Sequence, residues 1–216
     1  MSFSQWAILI IEMIGTVAFA SSGAMIGIRK NMDIFGINVL AITTALGGGL
    51  IRDLVLGINP PNMFRNSSYA IASVITACAL FLLFRMRQTL LESRFVEKYE
   101  RWMGIMDAVG LGAFTVIGID TALNVGYDSF FLLLFVGVIT GIGGGILRAI
   151  MAGQTPFVFV KHVYACASIA GAAACLLLRL VIPDTGAMII AAILVVVIRM
   201  LAAHYRWNLP RVQKKI

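Results

Sequence analysis

Apolar residues form seven long stretches along the chain, each of about 20 residues and each bounded by short polar segments. A helix of about 20 apolar residues matches the hydrocarbon thickness of a bilayer. The pattern therefore predicts an all-α membrane protein with seven transmembrane helices. The predicted spans are residues 5–28, 35–58, 67–86, 102–124, 129–153, 159–180 and 185–204.

The composition agrees with this fold class. The 216 residues are 60% hydrophobic and only 12% charged, whereas about a quarter of a soluble domain is charged. Soluble enzymes and nucleic-acid-binding proteins are thereby excluded. No nucleophile–base pair and no cluster of metal ligands favours a membrane enzyme, so we expect no catalytic site, no cofactor and no metal centre.

The basic residues predict an orientation. With the N-terminus outside and the C-terminus in the cytoplasm, twelve basic residues fall on the inner side and only two, Arg65 and Arg179, on the outer side. Such an excess is what the positive-inside rule requires. The net charge of +7 then indicates contact with anionic lipid at the cytoplasmic face, and no nucleic-acid partner is needed.

The chain also contains an internal repeat. Residues 12–19 match residues 107–114 at an offset of 95, and residues 47–52 match residues 143–148 at an offset of 96. Because each unit has three spans, the second must be inserted upside down, which is a common design of transport proteins. The predicted units are a first three-helix repeat (1–86), a cytoplasmic linker (87–101), an inverted second repeat (102–180), and a seventh helix with a basic tail (181–216).

A glycine triplet lies near the middle of the second span and another near the middle of the fifth. Each glycine costs a helix about 1 kcal/mol relative to Ala. We expect both helices to be broken or kinked there, so that freed backbone groups can meet an ion. The alternative is close packing of helices through small residues. The triplets are Gly47, Gly48 and Gly49, and Gly143, Gly144 and Gly145.

Charged residues inside the spans form two candidate pairs. Glu12 and Arg52 share the outer half of the membrane, and Asp107 and Arg148 share the inner half. A charge at this depth is costly and usually marks a pathway or a pair. We therefore predict an acid–arginine pair at each end, serving as a clamp between helices or lining a wet pathway. Asp53 has no acidic counterpart in the second repeat, so such a pathway would be electrostatically asymmetric.

Polar segments follow the second and fifth spans. The first contains Arg65, Ser67 and Ser68, and the second contains Lys161, which corresponds to Arg65 at the offset of 96. These residues are candidates for a mouth or gate at each end. The alternative is that the two cations anchor the span ends at the lipid headgroups.

The doubled motif of three glycines followed by an arginine, within residues 45–57 and 141–148, resembles the prokaryotic members of the TRIC family, the trimeric intracellular cation channels. Bacterial sequences of this type are also described as glycine-transporter-domain or uncharacterised inner-membrane proteins. The resemblance implies a bacterial inner-membrane homotrimer. Each protomer would hold a potassium-permeable pore between the kinked second and fifth spans, with the glycine triplets, Arg52 and Arg148 at the pore. Basic gating residues of animal members lie on the fourth span, where this chain has the acidic Asp107.

Two functions therefore remain. A monovalent-cation channel explains backbone breaks near the bilayer midplane and the scarcity of polar side chains in the spans. A carrier of a small zwitterion such as glycine explains the inverted repeat equally well, because a half-helix N-terminus can hold a carboxylate and free carbonyls can hold an amine.

Overall fold

The computed structural model describes residues 3–86, 93–160 and 163–207. Within these ranges the chain forms nine α-helices and no β-strand. The helices are α1 (Phe3–Arg29), α2 (Ile34–Val55), α3 (Asn62–Arg65), α4 (Ser68–Met86), α5 (Ser93–Val125), α6 (Phe130–Met151), α7 (Phe157–Val160), α8 (Tyr164–Leu178) and α9 (Asp184–His204).

Six of these helices are long and apolar enough to cross a membrane: α1, α2, α4, α5, α6 and α9. Helix α8 is apolar but only 15 residues long, which is shorter than the ~20 residues of a typical span. Together they correspond to the seven predicted spans, and the predicted all-helical membrane class is confirmed. Helices α3 and α7 are single turns that follow α2 and α6.

Glycines in the left-handed region end two of the central helices. Gly57 (φ +71°) follows α2, and Gly153 (φ +62°) follows α6. The chain then folds back, and the next amide donates to a carbonyl five residues earlier, from Ile58 to Asp53 and from Gln154 to Ala149, both at 2.8 Å. This is the usual glycine-dependent helix C-terminus. It explains why these helices end two or three residues before the predicted bounds.

The predicted linker between the two repeats does not form a separate element where it is described. Residues 87–92 lie outside the described ranges. From Ser93 onward the backbone is helical and continues without interruption to Val125. Residues 93–101, assigned to the linker from sequence, are therefore the first turns of α5.

The core lies where α1, α2, α5 and α6 pack together, with α4, α8 and α9 around them. The rings of Phe19 and Phe114 stack at its centre with centroids 5.4 Å apart. Their residue numbers differ by 95, the repeat offset. Close contacts between neighbouring antiparallel helices also occur at equivalent positions of the two repeats. A Cβ atom on Gly23 would lie 2.8 Å from the Leu40 carbonyl oxygen, and one on Gly118 would lie 2.9 Å from that of Val136.

Candidate functional site

The two glycine triplets meet where α2 crosses α6. A Cβ atom on Gly48 would overlap the carbonyl oxygen of Thr140, and a Cβ atom on Gly144 would overlap the carbonyl oxygen of Thr44. Thr44 and Thr140 are themselves 96 residues apart, so the two contacts are equivalent in the repeat. Small residues at the crossing let the two backbones touch, as is common between membrane helices.

The expected breaks at the triplets are not found. Helix α2 runs from Ile34 to Val55 through residues 47–49, and α6 runs from Phe130 to Met151 through residues 143–145. Glycine is unfavourable in a helix relative to Ala. An uninterrupted helix nevertheless keeps its backbone hydrogen bonds satisfied away from water. Close contact between α2 and α6 then makes glycine favourable at these positions. The contacts of Gly48 and Gly144 are of the kind that the packing alternative predicts.

Arg148 and Asp107 form an ion pair at one end of the crossing. Arg148 Nη1 lies 2.6 Å from Asp107 Oδ1, and the two side chains are 1% and 0% exposed. The same Nη1 donates to the hydroxyl of Ser22 on α1. The Phe157 ring covers the guanidinium, with its centroid 5.3 Å from Cζ. The pair predicted from sequence is present, and it is sealed from solvent on every side.

Arg52 at the other end has a different partner from the one expected. Its Nη2 lies 2.8 Å from Asp53 Oδ1, and Nε donates to the same oxygen at 2.8 Å. The Asn62 backbone amide donates to Asp53 Oδ2 at 2.6 Å and holds the carboxylate in place. Glu12 instead accepts a hydrogen bond from the Tyr69 hydroxyl. The hydrogen bonds of Arg52 thus go to Asp53 and not to Glu12, on which Arg52 acts only through its charge.

Two tyrosines that no sequence motif indicates also belong to the candidate site. Tyr69 on α4 bonds Glu12, and Tyr164 on α8 is buried beside Gly145, where an added Cβ would lie 2.9 Å from its hydroxyl. Arg199 lies over the Tyr164 ring, 4.6 Å from the centroid. The two tyrosines are 95 residues apart, so extending the repeat beyond the glycine triplets would have found them. Each repeat thus contributes an acid, an arginine and a tyrosine.

Two cavities lie at the Arg52 end of the protein. The inner cavity has a volume of about 50 Å³ and reaches the first glycine triplet at Gly49. The outer cavity has a volume of about 570 Å³ and shares Glu12 and Asn62 with the inner one. The inner cavity is lined by Glu12, Thr16, Ala45, Leu46, Gly49, Arg52, Asp53, Asn62, Met63, Tyr69 and Phe114. A polar depression therefore leads from one end of the bundle to the helix crossing.

The candidate mouth residues lie in different surroundings. Arg65 is exposed, lines the outer cavity and donates from Nη2 to the Asn59 carbonyl at 2.8 Å. Ser67 and Ser68 are exposed at the start of α4, where the Ser68 amide donates to the Asn66 side chain, and neither serine lines the two cavities described above. Lys161 lies outside the described residues.

Comparison with known proteins shows which proteins are similar to this chain. The family model described as Glycine transporter matches residues 9–85 and 104–179, and these two segments correspond to the two three-helix units. A UPF0126 membrane protein of Vibrio cholerae is 41% identical over 163 residues, which are 75% of this chain and 64% of that relative. The UPF0126 inner membrane protein YadS of Escherichia coli is 31% identical over 203 residues, which are 93% of each chain.

Solved structures decide the family. A structure of a TRIC cation channel is 33% identical, with a TM-score of 0.81 over 96% of this chain and 98% of that chain. The chain belongs to the prokaryotic TRIC family. The TRIC trimeric intracellular cation channel orthologue from Rhodobacter sphaeroides is 31% identical, with a TM-score of 0.82 over 93% of this chain and 98% of that one.

Membership of the TRIC family confirms the resemblance seen in the doubled glycine–arginine motif. The helix crossing, the two buried arginines and the polar cavities belong to a membrane-embedded transport fold.

Proposed function

We propose that this TRIC family member is a cation channel permeable to potassium, with one conduction path in each protomer of a homotrimer. The observation that carries the proposal is the pair of adjoining cavities at one end of the bundle, of which the inner one is lined by Glu12 and Arg52 and reaches Gly49 beside the helix crossing. The related solved structures are of TRIC cation channels, and the Rhodobacter sphaeroides orthologue is described as trimeric.

The path in this proposal runs between α2 and α6. An ion enters the outer cavity, passes Glu12 into the inner cavity, and reaches Arg52 and the glycine crossing. Beyond the crossing, the buried pair of Arg148 and Asp107 fills the remaining space. The conformation described above is therefore closed. Opening requires α2 and α6 to separate at Gly48 and Gly144, where their backbones now touch.

The orientation in this proposal follows from the positive-inside rule. The N-terminus and the outer cavity face the outside of a bacterial inner membrane, and the C-terminus faces the cytoplasm, where basic residues contact anionic lipid. The inverted repeat accounts for the paired contacts at offsets of 95 and 96. Arg65 marks the outer mouth and Lys161 the inner mouth, either as gates or as headgroup anchors.

The first experiment measures flux from purified protein in liposomes. Potassium and labelled glycine are each driven by their own gradient under the same conditions, with protein-free liposomes as the control. We expect rapid, non-saturating potassium flux and no glycine uptake, because neutral oxygens and water hold a monovalent cation weakly enough to release it.

The second candidate is a carrier of glycine, which the description of the matching family model favours. In a carrier, the inner cavity would hold the substrate, with Arg52 facing its carboxylate and Glu12 its amine. Saturable glycine uptake without unitary potassium currents would replace the channel proposal with this one. Absence of both activities would reject the two together.

A further inference from the structure

The charges around the inner cavity do not cancel. Its lining contains two carboxylates, Glu12 and Asp53, and one guanidinium, Arg52. Arg52 and Asp53 neutralise each other through two contacts of 2.8 Å. One negative charge, on Glu12, is left in a half-buried position. A carboxylate at this depth is stabilised by a cation, and without one it takes up a proton.

No neighbouring cation forms a salt bridge with Glu12 within the described residues: the charge of Arg52 acts on Glu12 from a distance, but its hydrogen bonds go to Asp53. Tyr69 donates a hydrogen bond to Glu12 Oε2 but carries no charge. Arg65, which lines the outer cavity, is exposed and bonds the Asn59 carbonyl. Arg179 pairs with Asp120 at 2.7 Å. Glu12 Oε1 takes part in no hydrogen bond within the described parts of the chain, so it is available to a ligand.

The opposite end of the crossing has the reverse balance. Asp107 is accompanied by two guanidiniums, those of Arg148 and Arg199, and all three side chains are buried. The Tyr164 hydroxyl and the Arg148 guanidinium both lie beside Gly145, and Arg199 lies over the Tyr164 ring. The repeat has thus placed equivalent acids, arginines and tyrosines at both ends, and the Glu12 end combines a cavity with an excess of one negative charge among its described lining residues.

We propose that Glu12 and the inner cavity form a binding site for one desolvated monovalent cation. The cavity of about 50 Å³ exceeds the about 10–15 Å³ that one water requires, so it can hold a cation with a water. Neutral oxygen ligands stand beside Glu12 in the hydroxyls of Thr16 and Tyr69 and the amide of Asn62. A single net negative charge matches a monovalent ion, whereas divalent ions favour several carboxylates.

This site deepens the proposed channel function, on which its role in permeation rests, but binding is measured without flux. The full chain is purified in detergent, and its thermal unfolding midpoint is recorded in potassium chloride and in N-methylglucamine chloride at constant ionic strength. We expect a saturable rise of about 2–4 °C at roughly ten times the half-saturating potassium concentration. No rise in the unchanged protein would overturn the proposal.

Charge-removing variants locate the site. Glu12→Gln is expected to lose the potassium-dependent rise. Asp128→Asn, which removes an exposed negative charge from the loop before α6, is expected to keep it. A rise retained in Glu12→Gln would place the ion elsewhere. Should Glu12→Gln not fold, Thr16→Val is the second variant. It is expected to raise the half-saturating potassium concentration at least about threefold, and an unchanged value would also overturn the site.

The two proposals fail in different ways. A Glu12-dependent potassium shift in a protein that conducts nothing in liposomes would retain the site and reject the channel. Potassium flux with no Glu12-dependent shift would retain the channel and reject the site.

Discussion

Arg148 and Asp107 show how strongly a single residue can depend on its partner in this protein. Asp107 is fully buried, and its Oδ1 pairs with Arg148 at 2.6 Å. Arg148→Met keeps most of the side-chain volume but leaves the carboxylate without that partner. We expect a loss of about 3–5 kcal/mol in unfolding free energy, measured by equilibrium unfolding in mixed detergent micelles.

Two further variants test the cause of that loss. Arg65→Met removes an exposed arginine with one carbonyl contact, and we expect a change within about 0.5 kcal/mol. The double variant Arg148→Met with Asp107→Leu removes both charges and is expected to recover much of the stability. If Arg148→Met costs no more than Arg65→Met, the buried pair does not stabilise the fold.

Helices α2 and α6 depend on the absence of two Cβ atoms at their crossing. In Gly48→Ala the added Cβ meets the Thr140 carbonyl oxygen, a backbone atom that moves only if the helices separate. We expect a loss of about 1–3 kcal/mol in unfolding free energy and altered potassium flux in liposomes. Gly144→Ala meets Thr44 in the same way and should behave alike.

The matched control for the crossing is Gly104→Ala on α5. A Cβ atom there has no neighbour within 4 Å, so the change should only remove the helix penalty of glycine and stabilise by up to about 1 kcal/mol. Equal effects at Gly48 and Gly104 would mean that the crossing tolerates separation. Unchanged flux in both triplet variants would leave the glycines with a packing role alone.

The helices show which structural features a sequence determines by itself. Hydropathy is enough to locate the spans approximately, because a helix in lipid must be predominantly apolar. The state of the triplets could not be deduced, because the cost of glycine depends on what lies opposite Gly48 and Gly144. The predicted depth of each charged residue in the membrane correctly paired Asp107 with Arg148. Depth alone could not predict whether Arg52 bonds Glu12 or Asp53. The carboxylate of Asp53 is held by the backbone amide of Asn62, nine residues further along the chain.

At the scale of the whole molecule, the two repeats keep some equivalent residues and differ at others. Phe19 and Phe114, Thr44 and Thr140, and the two tyrosines keep equivalent places. Asp53 and Asn62 have no polar counterparts, and Phe157 covers Arg148 instead. In the described residues, the Glu12 end therefore has polar cavities, and the Arg148–Asp107 pair at the other end is buried. In the proposed channel, this difference between the two ends gives the conduction path a direction.

That direction has a physiological meaning only if the protein has a fixed orientation in the membrane. The positive-inside rule places Asp128 outside and Lys30 in the cytoplasm, and both side chains are exposed. In intact cells, a membrane-impermeant maleimide should label Asp128→Cys and leave Lys30→Cys unlabelled until the membrane is permeabilised. The native cysteines, which are buried or half-buried in helices, provide the background measured in the unchanged protein. The reverse labelling pattern would turn the outer cavity and Glu12 toward the cytoplasm. Cytoplasmic cations would then meet the proposed site first.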